Sequence, residues 1–122
     1  IALIRAVRID AVTGRASGEI GDPLEAVLAL EQAGVAAVLL DARTGDMPAG
    51  TGVALDWAMA GRIREALHLP LILAGGLTPE NVRSAVEQVR PFAVDVITGV
   101  EASRTVKSAE QVRRFIQEAK LA

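Results

Sequence analysis

Two aspartates and two glycine turns carry the chemistry this chain can offer. Asp41 follows the apolar run Val35–Leu40, and Asp95 interrupts the apolar run Phe92–Ile97. Gly75-Gly76 ends the run Leu71–Ala74, and Thr98-Gly99 closes the Phe92–Ile97 stretch. Short uninterrupted apolar runs read as strands buried on both faces, the mark of a parallel sheet. A carboxyl after such a strand can have its pKa raised by desolvation, and so hold a proton for general-acid work. It can equally be an N-cap or a loop carboxylate. A charge inside a buried strand needs a partner or a ligand; for Asp95 that means a bound molecule or a salt bridge to Arg5 or Arg8. Glycine lets a ligand come close to the backbone N–H. A strand, a glycine turn and a helix start together make a place where phosphate can sit on backbone donors. A glycine pair alone is also what any tight turn between strand and helix uses.

Composition removes many other chemistries. The 122 residues make one domain or less, 51% hydrophobic, with a net charge of −2. No basic face stands out, and Trp57, Phe92 and Phe115 are the only aromatics, so nucleic acid is not expected as a partner. There is no Cys, hence no disulfide, thiolate metal site or thiol nucleophile. His68 is the only histidine, which argues against a His-based zinc site or a Ser-His triad. At a helix end before Pro70, it suits a dipole contact or solvent. No metal or cofactor is expected. No run approaches the ~20 apolar residues of a membrane span, and a cytoplasmic location is compatible. The chain starts at Ile1, inside an apolar run and without a signal-peptide pattern. That reads as a fragment or a processed product.

The elements that must position these residues alternate. Ala2–Ile9 reads as a strand and Asp10–Asp22, with three glycines, as a loop. Asp22-Pro23-Leu24-Glu25 gives an N-cap, an N1 proline and an N3 glutamate for a helix ending at Gly34. Val35–Leu40 is a strand, and Ala42–Gly52 a long glycine-rich loop. A helix from about Asp56 presents Trp57, Ala60, Ile63 and Leu67 as its apolar face. Leu71–Ala74 is the next strand. A helix with Thr78 as N-cap and Pro79 at N1 then buries Val82, Ala85, Val86 and Val89. Phe92–Ile97 is the fourth strand. The last helix, capped by Ser108 with Gln111, buries Val112, Phe115, Ile116 and Ala119. Four strands alternating with four helices predict parallel βα units with right-handed crossovers. That is an α/β fold: a small open sheet, or half of a (β/α)8 barrel, which needs about 200 residues or more when whole. Helix arginines such as Arg62, Arg64, Arg113 and Arg114 are expected on solvated faces.

The stretches LLDAR (39–43), GTGVALDW (50–57), LAGGLTPENV (73–82) and RPFAVDVITGVEAS (90–103) resemble the C-terminal half of phosphoribosylanthranilate isomerase, in that family's order and spacing. IRAVRI (4–9) suits its fifth strand. The resemblance implies a parallel (βα)4 half of a TIM barrel, strands five to eight, with residues 1–122 as a single C-terminal half-barrel. It implies an aldose-ketose isomerase of tryptophan biosynthesis, which converts N-(5-phosphoribosyl)anthranilate to its 1-deoxyribulose isomer by an Amadori rearrangement. Asp41 is then the general acid, Asp95 a substrate-binding residue toward the sugar hydroxyls, and Gly75, Gly76, Thr98 and Gly99 the phosphate loops. The family's first-strand Cys base and second-strand arginine are absent here, so the chain alone is expected to be inactive. Its partners are then the substrate and either the missing N-terminal half-barrel or a second copy of itself. Ile97 departs from the family's small or polar residue and could narrow the phosphate loop. The alternatives are a non-catalytic half-barrel assembly module and another phosphate-binding barrel such as the histidine-pathway isomerase, against which LDW argues.

Overall fold

Strand and helix alternate along the chain. The structure is a computed structural model that describes residues 1–43 and 55–122, with Arg43 through its backbone only. The Ala42–Gly52 loop expected from sequence therefore lies almost wholly outside the described residues. Strands β1 (Ile4–Asp10), β2 (Ala37–Arg43), β3 (Leu71–Leu73) and β4 (Ala93–Val94) form one parallel sheet in that order. Helices α1 (Pro23–Ala33), α2 (Trp57–Ala66) and α3 (Val82–Val89) connect them, and α4 (Ala109–Leu121) ends the chain. Crossovers of one hand between strands in sequential order lay the helices along the same face. The core agrees: Val7, Ile9, Val38, Leu40, Leu71 and Leu73 cluster with Val27, Ile63, Val82, Ala85, Val89 and Phe115 from the helices.

The other face of the sheet has a layered order. Register places Ala6, Leu39, Ile72 and Ala93 side by side, a small or aliphatic row that is half-buried except for exposed Ala6. One step of two residues toward the strands' C-terminal ends, Arg8 stands beside Asp41. The same step on β3 and past β4 reaches Ala74 and Asp95. β1 and β4 are the sheet's two edges.

Capping works much as the sequence reads. Asp22 accepts from the Glu25 N–H at 3.0 Å, Asp56 from Ala58 and Met59, and Ser108 from the Gln111 N–H at 3.2 Å. Gly34 ends α1 at φ 89°, a left-handed conformation that glycine takes without strain. Trp57, Ala60, Ile63 and Leu67 pack into or against the core.

The departures have physical causes. β2 starts at Ala37 because Val35 and Ala36 still turn the chain out of α1, donating to Leu30 and Leu3 carbonyls. It then runs on through Asp41 to Arg43, because the seven-residue β1 offers pairing that far. Asp41 thus lies inside the strand and not after it. The expected strand Phe92–Ile97 shrinks to Ala93–Val94, since an edge strand beside the three-residue β3 has few partners. Phe92 and Ile97 are accordingly exposed. Thr78 does not cap the regular helix. Its carbonyl accepts the Asn81 and Val82 N–H groups in a preceding turn, and Asn81 holds the N-cap position. Val86 is only half-buried, and Ile116 is exposed, because α4 at the end of the row packs against α3 on one side only. A short 3-10 turn (Thr98–Val100) and the hairpin β5 (Glu101–Ser103), β6 (Val106–Lys107) follow β4. No Asn-Gly or Asp-Gly pair announces that hairpin. Thr105 instead supplies the positive φ, 65°, an uncommon choice for a β-branched residue.

Candidate active site

At the C-terminal ends of the strands, Asp41, Asp95, Gly75, Gly76, Thr98 and Gly99 line a single cleft with about 350 Å³ of empty space open to solvent. All six residues singled out from the sequence therefore meet at one place. Val96 and Ile97 also line it. Ile97 is nonetheless largely exposed, and its carbonyl accepts from Lys107 Nζ at 2.7 Å.

Asp41 is half-buried on β2. Burial raises its pKa above the ordinary carboxylate value, and the charge of Asp95 adds to this; Arg8 and a hydrogen bond from the Ala42 N–H act the other way. Loss of solvent is the largest of these effects. A carboxyl in this position keeps its proton to higher pH than a surface aspartate and can deliver it to a basic oxygen in the cleft.

Asp95 differs from the expectation of a charge buried within a strand. It lies just past β4, exposed, and its N–H donates to the Leu73 carbonyl at 2.9 Å. Among the described residues no ion pair joins it to Arg5 or Arg8; the pairs present are His68–Glu31, Arg83–Glu87, Lys107–Glu101 and Arg114–Glu80. The Asp95 carboxylate is thus left to the cleft. His68 is far from this chemistry, its side chain almost wholly exposed beside Glu31. The arginines of the helix faces are exposed as expected.

Close approach dictates the glycines. Gly75 has φ 89°, and a Cβ there would stand 2.8 Å from the Ala42 Cβ and 2.9 Å from Asp41 Oδ1. A Cβ on Gly99 would meet the Leu77 carbonyl oxygen and come within 3.2 Å of the Thr78 Cα. The second turn therefore rests on the backbone of the first. Backbone cannot swing aside as a long side chain would, so Gly99→Ala is expected to destabilise the fold by roughly 1–3 kcal/mol. Urea unfolding of the two proteins measures this, and an unchanged midpoint would contradict the packing described.

Asn81 is a residue that sequence reasoning passed over. Its Oδ1 accepts from the Thr78 N–H at 2.7 Å and its Nδ2 donates to the Gly76 carbonyl at 2.9 Å. The available signal was an Asn placed three residues after Thr78 and just before the helix, where Asn bonds to nearby backbone. Among the described residues no group of three or more His, Cys, Asp or Glu is placed to hold a metal ion. None of their helices is long and apolar enough to cross a membrane.

Comparison with known proteins decides the family. A model of N-(5'-phosphoribosyl)anthranilate (PRA) isomerase matches residues 16–118. The chain belongs to the PRA isomerase family. The N-(5'-phosphoribosyl)anthranilate isomerase of Pseudomonas aeruginosa (strain LESB58) is 53% identical over 83 residues, 68% of this chain and 38% of that protein. That of Methanosarcina acetivorans is 48% identical over 96 residues, 78% of this chain and 40% of that protein. The crystal structure of phosphoribosyl anthranilate isomerase from Thermotoga maritima superposes with a TM-score of 0.76 at 37% identity, over 100% of this chain and 53% of that one. A second structure is in complex with reduced 1-(o-carboxyphenylamino)-1-deoxyribulose 5-phosphate; it gives a TM-score of 0.70 at 34% identity, over 100% of this chain and 50% of that one. The chain thus spans about half the length of these solved PRA isomerases, and its matched stretch about two fifths of the curated relatives. Its parallel α/β fold matches the TIM-barrel-like fold of PRA isomerase. The resemblance read from the four motifs is borne out at the level of family, and the histidine-pathway alternative is not favoured.

Proposed function

We propose that residues 1–122 supply strands five to eight of a (β/α)8 barrel, as one C-terminal half-barrel. The complete barrel then carries out the Amadori rearrangement of N-(5-phosphoribosyl)anthranilate to 1-(2-carboxyphenylamino)-1-deoxyribulose 5-phosphate. One observation carries this reading: a single cleft gathers a carboxyl of raised pKa, a second and exposed carboxylate, and two abutting glycine turns. Those are the groups that a phosphorylated sugar opening under acid catalysis requires. The open sheet face, with the described helices all on the opposite side, supports the half-barrel.

In this reading the turns at Gly75-Gly76 and Thr98-Gly99 hold the phosphate through backbone N–H groups. Asp95 accepts hydrogen bonds from the sugar hydroxyls. Asp41 gives its proton to the furanose ring oxygen. The C1–O bond then breaks as the anilinic nitrogen forms a C=N bond to C1. Removal of the C2 proton by a base yields the enol form, which tautomerises to the ketone. The chain has no Cys, so the thiolate base that the resemblance implies is not among these residues.

Inorganic phosphate titrated into the labelled chain tests the anion site directly. Amide shifts are expected at Gly75, Gly76, Thr98 and Gly99, saturating together. Shifts confined to other regions would sink the assignment.

A further inference from the structure

The hairpin that follows the second glycine turn grips that turn directly. Lys107 on β6 is the register partner of Glu101 on β5. Its Nζ donates to Glu101 Oε1 at 2.8 Å and to the Ile97 carbonyl at 2.7 Å. That carbonyl belongs to the peptide leading into Thr98-Gly99, and Ile97, Thr98 and Gly99 all line the cleft. No residue of β5 or β6 lines it, so the hairpin stands behind the turn. We propose that Lys107 is a positioning residue for the anion site: braced by Glu101, it draws the Ile97 carbonyl back toward the hairpin and so turns the Thr98 N–H to the cleft. The inference rests on the reading of the two turns as a phosphate cradle and adds what orients the second of them.

Peptide geometry carries the argument. In a trans peptide the C=O and the following N–H point in opposite directions. Fixing the Ile97 carbonyl on the hairpin side therefore fixes the Thr98 N–H on the other. Ile97 has φ −121° and ψ −76°, neither helix nor strand, so the direction of its carbonyl is left to a local partner. Lys107 supplies one, in a charge-assisted hydrogen bond. Without it the carbonyl oxygen can turn to the cleft and set its negative end against an anion. Glu101 keeps the lysine in place. Its side chain is 12% exposed, its Oε2 accepts the Thr105 N–H at 3.3 Å, and its own N–H donates to the Thr98 carbonyl. The positive φ of Thr105 belongs to the same bracket, because it closes the hairpin that brings Lys107 back across from Glu101. The Ser108 N–H ties the far end of the hairpin to the Val100 carbonyl at 2.8 Å. Ammonium and carboxylate together carry no net charge. The pair thus acts on an anion through the peptide that it aims, not through long-range attraction.

Inorganic phosphate titrated into chain variants, followed by amide shifts, tests the proposal. Lys107→Met is expected to raise the phosphate Kd about tenfold, the scale of one hydrogen bond to a charged group. It should diminish the shifts at Thr98 and Gly99 more than those at Gly75 and Gly76. Lys107→Arg keeps a charged donor and should restore most of the affinity. Lys120→Met removes the same charge from the last turn of α4 and should leave the Kd near the parent value. An equal loss there would mean that net charge alone is at work, and overturns the proposal. So does a folded Lys107→Met chain that binds phosphate as the parent does. Should Lys107→Met fail to fold, the parent chain decides. The nitrogen resonance of its Lys107 ammonium should move in step with the Thr98 and Gly99 amides as phosphate saturates, and an unmoved resonance overturns the proposal. The inference and the reading beneath it fail differently. A parent chain without shifts at the two turns overturns the anion site, and this inference with it. A parent that binds there, beside a Lys107→Met chain that binds equally well, overturns the role of Lys107 alone.

Discussion

The isolated chain is expected to show negligible isomerase turnover, and mixing it with a Cys-bearing N-terminal half should restore it. On the proposed reading the acid and the phosphate cradle sit on these strands and the base does not, and a proton transfer with one participant missing loses most of its acceleration. In the reconstituted barrel Asp41→Asn should lower kcat by about 10²–10⁴-fold, the usual contribution of a positioned acid. KM should stay within a few-fold, because the proton matters in the transition state and not in binding. Steady-state kinetics on the mixture and on the chain alone make the comparison. Turnover by the chain alone equal to that of the mixture would mean that the base lies within these 122 residues. The same variant should be slightly more stable at a pH above the folded pKa of Asp41. Burial sets the folded pKa of Asp41 above its unfolded value, so folding favours the protonated form. The stability this brings is present below the unfolded pKa and is lost as pH rises through the folded one. Above the folded pKa the ionised carboxylate is a liability, reduced by solvent screening at a half-buried site, and an amide removes it.

The second large effect is association. The purified chain is expected to be a two-fold dimer or a complex with another half, and not a monomer. Among the described residues β4 presents an unpaired edge, and β1 is bridged by segment 15–17 only at residues 8–10, which leaves its first half open; open edges invite strand addition. Among the described residues no helix lies over Ala6, Leu39, Ile72 and Ala93, and a further layer of side chains across the axis would bury that row. Ile1, Leu3, Ile4 and Phe92 add exposed apolar surface at the two edges. Closure by a second copy would set the β1 of one chain, with Arg8, beside the β4 of the other, with Asp95, so the charges at the seam are opposite. Sedimentation equilibrium at low micromolar concentration gives the mass. A well-folded monomer that binds no hydrophobic dye would rule out a partner-seeking surface and favour a closed four-unit fold.

Much of this arrangement could be read from the chain because local signals and global demands agree. The caps at Asp22, Asp56 and Ser108 and the stop at Gly34 depend on neighbours three or four residues away, and such signals survive without tertiary information. The gathering of the six cleft residues at one end of the sheet followed from their place within or just after apolar runs. What escaped depended on distant partners. The reach of β2 through Asp41 is set by the length of β1, some thirty residues earlier. The exposure of Phe92, Ile97 and Ile116 reflects positions at the end of the sheet and of the helix row, which periodicity cannot report. Asp95 reads as a buried charge only if its strand is assumed to run from Phe92 to Ile97. That Arg8 stands beside Asp41 is a matter of register, and register is invisible until the strands are paired.

The two hydrogen bonds of Asn81 have a consequence for how the cleft meets its ligand. They fasten the Gly76 carbonyl and the Thr78 N–H to the start of α3, and Gly99 leans on the same segment from the other side. The turn is therefore shaped before any anion arrives. On the proposed reading an arriving phosphate has little main chain to order, so less of its binding energy is spent on conformational entropy. Capture at this end of the cleft becomes a matter of encounter rather than of waiting for a loop to close. On the same reading the phosphate is the fixed point about which the sugar is swung toward Asp41.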